Sequence, residues 1–102
     1  MSFVTVDKER IKKRGSIFVV EIDKGMWVGR TNGNSKTMAL ILAAEALMSS
    51  KKIPQIELVQ FKQCRDTYKS EAILHSLLYE YRVSDGVYRI GRDELKQIWK
   101  EV

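Results

Sequence analysis

Two short apolar segments separated by three turn residues constrain this chain more than any other feature. Residues 16–22 and 26–31 are rich in β-branched and aromatic side chains, which favour extended strands. The residues between them, Asp23 to Gly25, are typical of a turn. Strands joined by so short a connection pair antiparallel, so we predict a β-hairpin. The fold must therefore be built on an antiparallel sheet.

The rest of the chain alternates between helical and extended patterns. Helices are predicted over residues 36–49, from Asp66 to about residue 81, and over 92–101, with strands over 56–64 and 87–90. Asn34 or Ser35 suits the N-cap of the first helix, and Asp66 that of the second. The order predicts an α+β fold, in which a three-stranded antiparallel sheet core is flanked by helices as β-β-α-β-α, followed by a C-terminal β-α extension. The predicted core consists of Phe18, Val28, Ile41, Val59, Ile73, Leu77 and Leu78.

A chain of 102 residues has the size of one domain, which we divide into a basic segment 1–15, a core 16–90 and a C-terminal helix 91–102. The one cysteine, Cys64, excludes an intrachain disulfide and a cysteine-based zinc cluster, which favours a reducing, cytoplasmic setting. No apolar run reaches the roughly 18 residues of a membrane span, so no membrane association is predicted.

The first predicted helix, residues 36–49, is apolar around most of its circumference. Such a helix is usually covered on more than one side, and a small domain has few elements with which to cover it. We therefore expect either a homodimer or a protein partner to use this helix.

The chain is basic, with a formal net charge of +5, and this favours binding to nucleic acid. Five positive residues fall within the seven positions from 8 to 14, offset only by Glu9. One interpretation is an arm that contacts phosphates, and the other is a solvated segment that aids solubility. The five residues are Lys8, Arg10, Lys12, Lys13 and Arg14.

Glu71 and His75 lie one helical turn apart on the second predicted helix, so their side chains are neighbours. A carboxylate beside an imidazole is able to hold a metal ion or to transfer a proton. The alternative is a hydrated helix face with no chemical role.

The order of elements resembles that of the GIY-YIG nuclease domain, and short motifs support the resemblance over about residues 16–90. Ser16-Ile17-Phe18 stands at the GIY tripeptide, and Trp27-Val28-Gly29 stands at YIG. Arg30-Thr31 is similar to the Lys-Thr that often follows in the small phage-type branch. The later helix of that branch commonly carries E-x-x-L-H, then an arginine and a glycine–aromatic strand; the matching residues here are Glu71, Leu74, His75, Arg82, Gly86 and Tyr88.

The resemblance implies phosphodiester chemistry with one divalent metal, Mg²⁺ or Mn²⁺, weakly bound by Glu71. Lys36 takes the position of the family's phosphate-binding arginine and keeps the charge without the bidentate fork. Phe18 and Trp27 replace the two hairpin tyrosines and cannot accept a proton. Glu71, His75 and Lys36 are therefore the predicted catalytic residues, expected to converge beside the hairpin. The predicted nucleic-acid contacts are Arg30, Trp27, Lys12, Lys13 and Arg14.

These observations predict a nucleic-acid-binding GIY-YIG-like domain with weakened or lost cleavage, of the kind found in phages and mobile elements. An active metal-dependent endonuclease, with His75 or a water near Glu71 as the base, is the first alternative. A protein-binding inhibitor or dimeric adaptor, acting through residues 36–49, is the second.

Overall fold

The computed structural model describes residues 14–48, 55–84 and 86–102. Over these ranges the chain forms five strands, three α-helices and one turn of 3₁₀ helix. In chain order they are β1 (Gly15–Ile22), β2 (Gly25–Thr31), α1 (Lys36–Leu47), β3 (Glu57–Cys64), α2 (Thr67–Leu77), the 3₁₀ turn (Tyr79–Tyr81), β4 (Arg82–Ser84), β5 (Val87–Tyr88) and α3 (Arg92–Trp99). No helix in these ranges is long and apolar enough to cross a membrane.

The predicted hairpin is present, with β1 and β2 paired antiparallel from Ser16–Thr31 to Ile22–Gly25. Gly25 closes the turn with φ of 146°, a conformation that side chains rarely adopt. A Cβ there would also lie 2.4 Å from the backbone oxygen of Tyr88. Both the turn conformation and the close approach of this strand therefore require glycine at position 25.

The prediction of a three-stranded sheet core is wrong, because the sheet has five strands in the order β3-β1-β2-β5-β4. The segment assigned to a separate C-terminal extension returns to the outer edge of β2, where Met26 pairs with Tyr88. Residues 82–84, for which no strand was predicted, form β4 and pair with β5. The hairpin alone leaves β2 with unpaired backbone groups, and this second hairpin satisfies part of that edge.

Strand alternation divides the apolar side chains between the two faces of the sheet. One face, covered by α2 and α3, holds a cluster formed by Ile17, Val19, Met26, Val28, Leu74, Leu78, Tyr88, Ile90 and Leu95. The other face, covered by α1, holds Phe18, Val20, Ala39 and Ala43. We call these the α2 face and the α1 face.

The helix caps follow the sequence prediction, whereas the helix faces do not. Ser35 Oγ accepts from the N–H of Met38, and Asp66 Oδ1 accepts from the N–H of Lys69. Two residues of the predicted core are exposed, Ile41 at 43% and Ile73 at 37%, and Leu77 is only half-buried. The buried residues of α2 are Thr67 and Leu74, with Leu78 following at the C-cap. The side of α2 that packs against the sheet is therefore rotated relative to the predicted side.

Candidate functional site

Glu71 lies on the side of α2 that faces the hairpin and forms an ion pair with β2. Arg30 Nη1 is 3.0 Å from Glu71 Oε1. The side chains retain 38% and 21% of their exposure, respectively, so the pair sits at the boundary between core and solvent. Alternation along β2 directs Arg30, Val28 and Met26 to the α2 face, which explains why a strand residue reaches this helix.

Tyr68 completes this contact from the first turn of α2. The guanidinium carbon of Arg30 stands 4.1 Å from the centre of the Tyr68 ring. Tyr68 and Glu71 are three residues apart, so both reach the same arginine from one side of the helix. The sequence-based prediction did not include Tyr68. The feature that could have indicated it is its i, i+3 spacing from Glu71, on a helix that faces a strand carrying an arginine.

His75 lies one turn further along α2 and contacts the strand that was not predicted to join the sheet. Its Nδ1 is hydrogen-bonded to the hydroxyl of Tyr88, with ring centres 5.6 Å apart. Burial raises the pKa of the Tyr88 phenol. The positive charge of Arg82 lowers this pKa, and the negative charge of Glu71 raises it further. The phenol therefore stays protonated at neutral pH.

Trp27 does not belong to this group. It is separated from Arg30 by three strand positions and so points to the α1 face, where its ring packs 6.0 Å from that of Phe18. Gly29 accommodates both rings, because a Cβ there would approach each of them within 2.7 Å. The two residues at the motif tyrosine positions are thus packing residues of the α1 face.

The remaining predicted site residues lie apart from Glu71. Lys36 is exposed at the first position of α1, the helix that covers the other face, and the structure does not bring it into contact with Glu71 or His75. Arg14 is exposed at the start of β1. Lys12 and Lys13 fall outside the described residues.

One end of the sheet gathers positive charge. The register places Gly15 opposite Cys64 and Ser16 opposite Thr31, so the start of β1 lies beside the ends of β2 and β3. Arg14, Arg65 and Lys69 line a depression there together with Asp66, Ser70 and Ile73. The Arg30–Tyr68 contact lies at the same end of the sheet but on another side of α2, since neither residue lines the depression. We call this the basic end.

The other end of the sheet is acidic. Glu21 and Glu57 are opposite each other in register and line a depression with Asp23. Arg92, at the start of α3, bonds both carboxylates, with Nη2 at 2.5 Å from Glu21 Oε1 and 2.8 Å from Glu57 Oε2. These bonds raise the pKa of Arg92 and leave the pair of glutamates partly neutralised. We call this the acidic end.

The described residues contain no group of three or more histidine, cysteine, aspartate or glutamate side chains arranged for a metal ion. Glu71 therefore offers one carboxylate, with Oε1 bonded to Arg30, and the Nδ1 of His75 is bonded to Tyr88. An ion held this way would need most of its ligands from water and substrate phosphate, as Mg²⁺ commonly does. A divalent ion at the Glu71 carboxylate would therefore compete with the ion pair to Arg30.

Comparisons with protein-family models, with curated proteins and with solved structures found no match to this chain. The resemblance to the GIY-YIG domain therefore rests only on the sequence motifs that match it.

Proposed function

We propose that this chain is a nucleic-acid-binding domain of GIY-YIG-like organisation in which phosphodiester cleavage is weak or lost. The observation that carries the proposal is the basic end, where Arg14 before β1, Arg30 on β2, Arg65 in the β3–α2 connection and Lys69 on α2 gather at one end of the sheet. Phosphate contacts supply most of the affinity of non-specific nucleic-acid binding, and arginine and lysine side chains provide them.

The placement of the charges supports this proposal more than their number. Arg14, Arg65 and Lys69 are exposed around one depression, where a phosphate is able to contact more than one of them. The carboxylates at that end are committed locally, since Asp66 caps α2 and Glu71 is paired with Arg30. Glu21, Asp23 and Glu57 lie at the far end of the sheet, where Arg92 bonds the two glutamates.

Three features support weak cleavage. Phe18 and Trp27 carry no ionisable group and pack on the α1 face. Lys36 belongs to the helix on that same face and does not contact Glu71. The Glu71 carboxylate is neutralised by Arg30 at 3.0 Å. The groups that the resemblance implies for metal, phosphate and base are therefore not assembled around one point.

Fluorescence anisotropy with labelled duplex and single-stranded probes tests the binding proposal. We expect the logarithm of the binding constant to fall linearly with the logarithm of salt concentration, because bound phosphates release counterions. The double variant Arg65→Ala with Lys69→Ala should bind more weakly and give a shallower slope. Lys24→Ala with Lys96→Ala removes the same charge elsewhere and is the matched control, expected to keep the parent slope. Absence of binding to both probes at low salt would contradict the proposal.

A metal-dependent endonuclease is the second candidate, and the Tyr88–His75 contact favours it. That contact places a phenol and an imidazole one helical turn from Glu71, although neither stands at a motif tyrosine position. A phosphate that draws Arg30 away would free the Glu71 carboxylate. A plasmid-nicking assay with Mg²⁺ or Mn²⁺ tests this candidate, comparing the parent with Glu71→Ala and with the exposed Glu45→Ala as control. Nicking that survives Glu71→Ala would exclude Glu71 as the metal ligand.

A further inference from the structure

Arg30 and Tyr68 bring two planar groups into contact at the basic end. The guanidinium lies over the tyrosine ring at 4.1 Å, and Glu71 holds one of its nitrogens at 3.0 Å. Both side chains remain accessible: Arg30 keeps 38% of its side-chain exposure, and Tyr68 is 40% exposed. The arrangement is therefore fixed by two elements and still open to a ligand.

These planar groups suit a nucleobase. Unstacked bases bind proteins by stacking on aromatic rings and on the planes of arginine guanidinium groups. A base within a duplex has both faces covered by its neighbours and offers only its edges in the grooves. Planar groups are consequently of use to an unpaired base and of little use to a paired one.

We propose that Arg30 and Tyr68 form a stacking platform for an unpaired base, so that the preferred ligand of the basic end is single-stranded nucleic acid. The inference rests on the proposed nucleic-acid binding and specifies its substrate class. Arg14, Arg65 and Lys69 line a depression on another side of α2 at the same end of the sheet, and would contact phosphates further along a strand that crosses the start of this helix. Affinity then has two separable parts, a salt-dependent part from these cations and a stacking part from Tyr68 and Arg30.

Substitutions at Tyr68 separate the two parts. Tyr68→Leu removes the ring and no charge, so single-strand binding should weaken about tenfold while the salt slope stays unchanged. Tyr68→Phe keeps the ring and should bind as the parent does. Arg30→Lys keeps the charge but loses the plane, and should lower single-strand affinity with little effect on the slope. Tyr79→Leu is the control, because Tyr79 is a 69% exposed tyrosine beyond the other end of α2.

The experiment measures anisotropy with one sequence as a single strand and as a duplex, and the fluorescence of a 2-aminopurine placed in the single strand. Stacking on the platform should change the 2-aminopurine emission in the parent and in Tyr68→Phe, but not in Tyr68→Leu. Circular dichroism and urea midpoints establish that each variant is folded.

Two results would overturn the inference. Equal affinity of the parent for single strand and duplex, with Tyr68→Leu unchanged, would leave nucleic-acid binding in place and remove the platform. Failure of the parent to bind either probe would remove the proposed function together with the platform. Loss of single-strand affinity in Tyr79→Leu equal to that in Tyr68→Leu would also contradict it.

Discussion

Tyr88 shows how a single residue joins the sheet, the second helix and the candidate site. Its ring is 4% exposed, its backbone pairs with Met26, and its hydroxyl bonds His75. The sequence predicted Tyr88 as the aromatic residue of a short strand, but not its contact with His75, because a one-dimensional pattern does not show which strand edge that segment joins.

The raised pKa of Tyr88 predicts a loss of stability in alkali. The folded protein holds the phenolic proton more tightly than the unfolded chain, whose tyrosines titrate near pH 10. Its contribution is therefore complete below about pH 10 and disappears as the pH rises through the higher folded pKa. We expect the free energy of unfolding from urea titrations to fall as the pH rises above about 10, and Tyr88→Phe to reduce that fall.

Tyr81 is the control for this measurement. Its hydroxyl donates to Glu94, and this bond is the main cause of the raised pKa of Tyr81, which is less buried than Tyr88. Tyr81→Phe should therefore change the alkaline slope less than Tyr88→Phe does. A larger effect at Tyr81 would show that burial is not the dominant cause at Tyr88.

At the scale of elements, the sequence predicted which elements form better than it predicted their orientation. The hairpin and the cap at Asp66 follow from local chemistry, and both are present. The inward side of α2 was predicted to carry Ile73, Leu77 and Leu78; Leu78 is buried as predicted, but the other buried leucine is Leu74, and Ile73 is exposed. Apolar residues at all four positions make the helical period ambiguous, and only packing against β1 and β2 decides the phase.

The phase of α2 is testable by truncation. Leu74 is fully buried in the α2 face, so Leu74→Ala should lower the free energy of unfolding by about 2–5 kcal/mol. Ile73→Ala, its exposed neighbour, should lower it by less than about 1 kcal/mol. Urea midpoints measure both. Equal losses would mean that the helix is rotated relative to the structure.

Helix α1 packs against the sheet through alanine side chains. Ala39 and Ala43 lie against the sheet, whereas Met38 and Ile41 are exposed at 45% and 43%. This exposed side is the part of the helix that a second copy or a protein partner would cover, and such a partner stays a prediction.

The Ile41 side chain distinguishes a free surface from an interface. In a monomer, Ile41→Ala should change the free energy of unfolding by no more than about 0.5 kcal/mol, since little packing is lost. Light scattering with size-exclusion chromatography gives the mass of the parent and the variant. A parent dimer that Ile41→Ala dissociates, with a midpoint that depends on protein concentration, would instead assign this side to self-association.

At the scale of the whole molecule, the five-stranded sheet could not be predicted from the sequence. Arg82 to Ser84 has the composition of a turn, and Val87–Tyr88 is too short to show a period. Their pairing depends on the free edge of β2, which is a property of the assembled hairpin. Lys36 and Trp27 were predicted to lie near Glu71 for the same reason. Spacing along the chain does not reveal which face of a sheet a helix will cover.

The separation of the basic and acidic ends gives the domain a permanent electric moment along its strands. A polyanion attracts one end and repels the other before any contact forms, so the domain should rotate into its binding orientation during approach. If nucleic acid is the ligand, as proposed, fewer encounters should be unproductive, and association should be faster than net charge alone would allow. Reversing Glu21 and Glu57 to lysine would raise the net charge yet weaken this alignment, and stopped-flow association rates at low salt would separate the two effects.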